Sequence, residues 1–116
     1  MKADYSPAEI VKSVYLAGPM RGIEDFNFPA FDLAARNLRE FGITVISPAE
    51  HDRECGIDAV STPELTGEQL RAAILWDLKQ VANCDGIYML HGWENSKGAR
   101  VEHALAVFLG KVICYD

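Results

Sequence analysis

Two acids in this sequence stand where acids are costly. Asp77 lies in a helical pattern whose apolar positions are Leu70, Ile74, Leu78 and Val81. Coming seven residues after Leu70, it falls on the edge of the inward face. Glu102 shares a second helical pattern with Val101, Leu105, Phe108 and Leu109. At about 100° per residue it sits about 60° from Leu105, facing the body of the protein rather than open water. Its place near the helix start also favours the ionised form. Partly burying an unpaired carboxylate costs on the order of several kcal/mol or drives its pKa upward. Two inward-leaning acids, one ionised and one able to hold a proton, suit glycosidic chemistry: one attacks and the other handles a proton. The plain alternatives are an edge aspartate reaching water or an arginine, and a helix-start glutamate turned to solvent.

Two loops could complete such a site. The first reads GPMRG, Gly18 to Gly22. Its glycines let the backbone come close to a ligand, Met20 lies between them, and Arg21 offers a charged fork for phosphate or carboxylate. It could equally be an ordinary strand-to-helix turn with a solvated arginine, and it is neither a GxGxxG fingerprint nor a Walker loop. The second, GWENSKGARVE, runs from Gly92 to Glu102. Ser96 and Gly98 stand at a helix start, where a hydroxyl and free N–H groups can cradle an anion, with Lys97 and Arg100 nearby. In the alternative reading Ser96 is only an N-cap. Tyr15, three residues before the glycine loop, reads as a core tyrosine; a hydroxyl meeting Glu102 would orient that carboxylate. Trp93 could roof a flat ligand by stacking or simply cover the edge of the core. Trp76 falls on the polar side of its helix, opposite Ile74, and hints at a subunit interface.

Positioning these groups requires alternating strands and helices. Ser13 to Ala17 reads as a buried strand, Pro29 to Phe41 as a helix ended by Gly42, and Ile43 to Ser47 as a second strand closed by Pro48. His51 to Leu65 reads as a long polar loop. Thr66 and Gln69 form a capping box for a helix to about Asn83. Asp85 to His91, Gly98 to Leu109 and Val112 to Tyr115 follow as strand, helix and strand. Short apolar strands joined by helices imply a parallel sheet covered on both faces. The expected fold is therefore α/β, a three-layer flavodoxin-like or Rossmann-like sandwich of four or five strands in order 2-1-3-4. Its switch point lies between strands one and three, so both loops should meet there.

Composition narrows the function classes. The chain has 116 residues, 49% hydrophobic and 24% charged, which suits one domain spanning 1–116. A net charge of -6 argues against a nucleic-acid polymer as partner, while leaving room for a local basic pocket. No apolar run approaches the roughly 20 residues of a membrane span. Met1 to Lys12 has no signal-peptide core, and the expectation is a cytoplasmic protein. Cys55, Cys84 and Cys114 are odd in number and far apart, and the histidines are equally scattered, so neither a disulfide framework nor a metal site is expected.

Together these segments resemble the nucleoside 2-deoxyribosyltransferase superfamily. Within it the chain is most similar to small phage and bacterial proteins grouped as a domain of unknown function (DUF4406). The resemblance runs from Val14 to Tyr115 through YLAGPMRG, NFPAF, WDL, CDGIYML and GWENSKGARVE. The last is in register with deoxynucleoside 5′-monophosphate N-glycosidases. The resemblance implies Glu102 as the nucleophile at the anomeric carbon, Asp77 as the acid at the leaving base, and Tyr15 as the residue that positions Glu102. It matches Arg21, Ser96 and Gly98 to 5′-phosphate positions and Asp85 to a mainly structural role. It implies a nucleoside or nucleotide substrate, no cofactor, and a homo-oligomer with shared sites, for which Trp76 and Tyr115 are candidates. Glu24 and Asp25 would repel a phosphate if they faced it, and the long polar loop and NFPAF belong to the DUF4406 branch. The leading expectation is cleavage or transfer at an N-glycosidic bond. The rival is a catalytically silent nucleotide-binding module, and a third reading is a scaffold binding protein through Trp76.

Overall fold

The computed structural model describes residues 11–116. The expectation about Met1 to Lys12 falls mostly on residues 1–10, which lie outside the described residues. Four parallel strands form one sheet: β1 (Ser13–Ala17), β2 (Thr44–Ile46), β3 (Gly86–Met89) and β4 (Val112–Tyr115), in order β2-β1-β3-β4. The expected order is therefore observed, with four strands among the described residues. Tyr15 is in register with Ile46 on one side and Ile87 on the other. The N–H of Lys12 donates to Asp85 Oδ2 (2.9 Å), and the Asp85 N–H donates to Ser13 Oγ (3.0 Å). Asp85 thus ties the starts of β1 and β3 together.

Alternation along β1 separates two cores. Val14 and Leu16 point to the face covered by α1 (Phe28–Glu40), joining Phe28, Phe31, Ala35 and Val45. Tyr15 and Ala17 point to the face covered by α3 (Gly67–Asn83) and α4 (Lys97–Phe108), joining Val81, Ile87, Met89, Ala99 and Ala106. Pro29 stands in the first turn of α1, where its missing N–H costs nothing. The capping box of α3 is reciprocal: Gln69 N–H donates to Thr66 Oγ1 (3.1 Å) and Thr66 N–H to Gln69 Oε1 (2.9 Å).

Two expectations change. The first turns of the supposed polar loop form a helix, α2 (Pro48–Glu54), whose buried residues include Ala49 and Asp52. Seven residues with little apolar periodicity carry no helical signature, yet Pro48 at the helix start and burial of Ala49 make the turn form. The second change is in α4. It buries Ala99, Glu102 and Ala106 and leaves Val101 48% and Phe108 83% exposed. Leu109 is exposed too, and of the expected stripe only Leu105 packs on the core. Close approach of α4 to the sheet admits alanines, so the helix turns its larger apolar residues outward and puts Glu102 at the centre of the buried face. In α3 Val81 is buried as expected, whereas Leu70 is about half exposed. Among the described residues no helix is long and apolar enough to cross a membrane.

Candidate active site

A cavity of about 690 Å³ opens at the carboxyl end of the sheet, beside the switch point between β1 and β3. Its walls come from the loop after β1 (Gly18 to Arg21), Pro48 of α2, one side of α3 (Leu70 to Asp77) and the start of α4 (Asn95 to Glu102). Tyr15, Asp77 and Glu102 all line it. The Tyr15 hydroxyl donates to Glu102 Oε2 at 3.0 Å in a buried contact. Tyr15 is fully buried and Glu102 only 4% exposed. The chain thus brings three groups from β1, α3 and α4 to one spot.

The electrostatics follow from that enclosure. Burial pushes Glu102 well above the usual carboxylate range, and the neighbouring Asp77 charge pushes the same way. Asp77 is pushed up to about 6, chiefly by burial, while hydrogen bonding to Glu102 and Tyr15 pulls it back. Burial and the Glu102 charge also raise the Tyr15 hydroxyl, keeping it a donor. Two carboxyls this close titrate as a pair, which holds one proton and one negative charge above about pH 6. The hydrogen bond that Tyr15 donates pulls Glu102 back down against its burial, and the two hydrogen-bonded carboxyls share that one proton between them.

The loop residues are placed unevenly. Gly18, Met20, Arg21, Ser96 and Gly98 line the cavity. At Gly18 a Cβ would lie 2.8 Å from Leu90 Cβ, so glycine is required for the close passage of loop and strand end. Gly22, in a left-handed conformation (φ 82°), is a turn residue outside the cavity wall. Ser96 does cap α4, its Oγ accepting from the Ala99 N–H at 3.2 Å. Trp93 is not part of the wall: it stacks on His103 with ring centroids 4.3 Å apart. Trp76 is not on an open face either. It is half-buried and stacked on His51, 3.7 Å between centroids, a partner supplied by α2, which the sequence presents as loop. Glu24 and Asp25 are exposed and lie outside the cavity wall.

Sequence reasoning missed Arg71 and Asp52 at the site and the buried Ser47 hydroxyl elsewhere. Arg71 lines the cavity alongside Arg21 and Lys97, giving it three cations in a chain of net charge -6. It stands one turn into α3, directly after Leu70, and nothing in the sequence marks that side as a wall. Asp52 is buried and lies 3.7 Å from Arg21. Ser47, at the end of β2, has a buried hydroxyl with no hydrogen-bond partner among the described residues. Among those residues, no three histidine, cysteine or acidic side chains are grouped to hold a metal ion.

The architecture is a nucleoside 2-deoxyribosyltransferase-like fold, as superposition on two solved structures shows. A 2-deoxyribosyltransferase of the psychrotolerant bacterium Bacillus psychrosaccharolyticus superposes with a TM-score of 0.65 at 24% identity, covering 89% of this chain and 70% of that one. The solution structure of BlsM superposes at 0.61 and 22% identity, covering 88% of this chain and 62% of that one. Residues 12–115 match the family described as Domain of unknown function (DUF4406), and the chain belongs to that family. None of the curated proteins matches it.

Proposed function

We propose that this protein cleaves the N-glycosidic bond of a 2′-deoxynucleoside or its 5′-monophosphate through a covalent intermediate on Glu102. The observation that carries the reading is the buried Tyr15–Glu102 hydrogen bond with Asp77 beside it on one cavity wall. The Glu102 carboxylate attacks C1′ through an oxocarbenium-like transition state. As the C1′–N bond breaks, its electron pair leaves with the base, and the one proton that the carboxyl pair shares passes to the base through Asp77. Water then releases the free sugar, or a second base takes it, and Asp77 recovers a proton in step. Arg21, Lys97 and the N–H groups at the start of α4 offer a place for a 5′-phosphate. The fold likeness to a 2-deoxyribosyltransferase supports this choice of chemistry.

The test is release of free base from a panel of nucleosides and 5′-monophosphates, with and without an added acceptor base. Release by the wild type and a fall of about a thousandfold or more in Glu102→Ala are expected. Tight binding with every ligand recovered intact would make the protein a binding module instead.

The outward apolar residues of α4 also support a second copy as partner. Val101 lines the cavity while Phe108 lies on the outer surface of the same helix, so a copy docked there would help close the site. Phe108→Asp is expected to shift the wild-type oligomer to monomer in sedimentation; a wild type already monomeric at high concentration would refute this.

A further inference from the structure

One side chain of the cavity wall is flanked from two directions, by a buried carboxylate and by a ring at the edge of the α1-face core. The Arg21 guanidinium lies 3.7 Å from Asp52 and 4.7 Å from the centre of the Phe26 ring. Asp52 comes from α2 and is only 6% exposed, with Arg21 as its one ion-pair partner among the described residues. Phe26 comes from the turn before α1 and is buried as well. That turn is unusual: Asp25, Phe26 and Asn27 all adopt left-handed conformations (φ 55°, 53° and 60°), which glycine would take far more readily. Asn27 Nδ2 then donates to the Pro19 carbonyl at 2.9 Å, tying the strained turn back to the loop that carries Arg21. Strain of this kind persists only where the surroundings over-determine it, and here it delivers the Phe26 ring beneath the guanidinium.

We infer that Asp52 and Phe26 are positioning residues that hold Arg21 in place to receive an anionic group of the substrate. An arginine has five N–H donors in a rigid fork, so an ion-paired carboxylate at one edge and a ring against one face still leave donors free on a side chain that lines the cavity. A free arginine would lose side-chain entropy on binding; a clamped one has lost it already. The inference rests on the proposed role of Arg21 in nucleotide binding, and it concerns affinity rather than bond cleavage. It assigns the left-handed turn Asp25 to Asn27 and α2 a shared task, since each supplies one side of the clamp.

The experiment is calorimetric binding to Glu102→Gln protein, in which the bond stays intact. The probes are the four common 2′-deoxynucleoside 5′-monophosphates and the corresponding nucleosides. Phe26→Leu and Asp52→Ala are each expected to weaken the best monophosphate about three- to tenfold while leaving its nucleoside within about twofold. In an Arg21→Ala background the same two substitutions are expected to change nothing further, because they act through Arg21. A loss that persists in that background, or falls equally on nucleoside and monophosphate, would make the residues merely structural and overturn the inference. So would unchanged or tighter monophosphate binding in both variants, or no preference for monophosphate in the parent. Should Phe26→Leu not fold, the Asp52→Ala arm decides. Base release from nucleosides alone would leave the glycosidic reading standing while this inference fell.

Discussion

The two faces of the sheet are built on opposite plans, although they share β1. Beneath α1 the strand contributes Val14 and Leu16 to a core containing Phe26, Phe28 and Phe31. Beneath α3 and α4 it contributes Tyr15 and Ala17 to a core that mixes Ile87 and Met89 with Ala99 and Ala106 and also encloses Glu102. The first face is apolar filling, and its residues contribute by removal from water and by close packing. The second holds two carboxyls whose pKa values burial has raised, so it carries a stability cost near neutral pH. A protein that keeps such a cost on one face relies on the other to offset it, and that is the pattern expected where function and stability compete.

Substitutions on the two faces should therefore move stability in opposite directions. The largest effect is expected from Leu16→Ala, which empties a fully buried site on the α1 face. A loss of about 2–5 kcal/mol in denaturant unfolding is expected, with little dependence on pH. A smaller change of opposite sign is expected from Asp77→Asn. The Asp77 pKa is about 6 in the folded chain against 3.8 for an unperturbed aspartate. A raised folded value means that the protonated group is accommodated at low pH and that stability is lost as pH rises through about 6. The amide cannot ionise, so the variant should be more stable than wild type at pH 7.5, by on the order of 2 kcal/mol. That gain should shrink through the window from pH 6 to 4 and vanish below it. A destabilised Asp77→Asn at pH 7.5 would mean that the carboxylate is well paired and that the contrast between the faces is false.

The same contrast explains what could be read from the sequence. Strands β1 and β4 match their expected limits because short apolar runs bounded by Gly and Pro have few other uses. The sheet order followed from right-handed crossovers. The α3 cap was legible because Thr66 and Gln69 have a local mechanism. The α4 orientation was not: the stripe rule assigns large apolar residues to the inside, whereas tight contact with the sheet selected Ala99 and Ala106. Glu102 was consequently placed at the edge of a face whose centre it occupies. Trp76 was misplaced for a related reason, since its stacking partner His51 comes from another element, whereas Trp93, left open between ligand roof and core cover, packs on the core and stacks on His103. The clamp on Arg21 needed both an unforeseen helix and a run of left-handed residues that no composition announces.

The central claim is that Glu102 forms a bond to the sugar. It is tested most directly by acid-quenching wild-type protein during turnover of the best substrate and weighing the intact chain and its peptides by mass spectrometry. The expected result is a protein population heavier by one deoxyribosyl unit, with its phosphate where the substrate carries one, located on the peptide containing Glu102 and absent from Glu102→Gln. Undiminished turnover by Glu102→Gln, or a sugar adduct mapped to a different residue, would contradict the account.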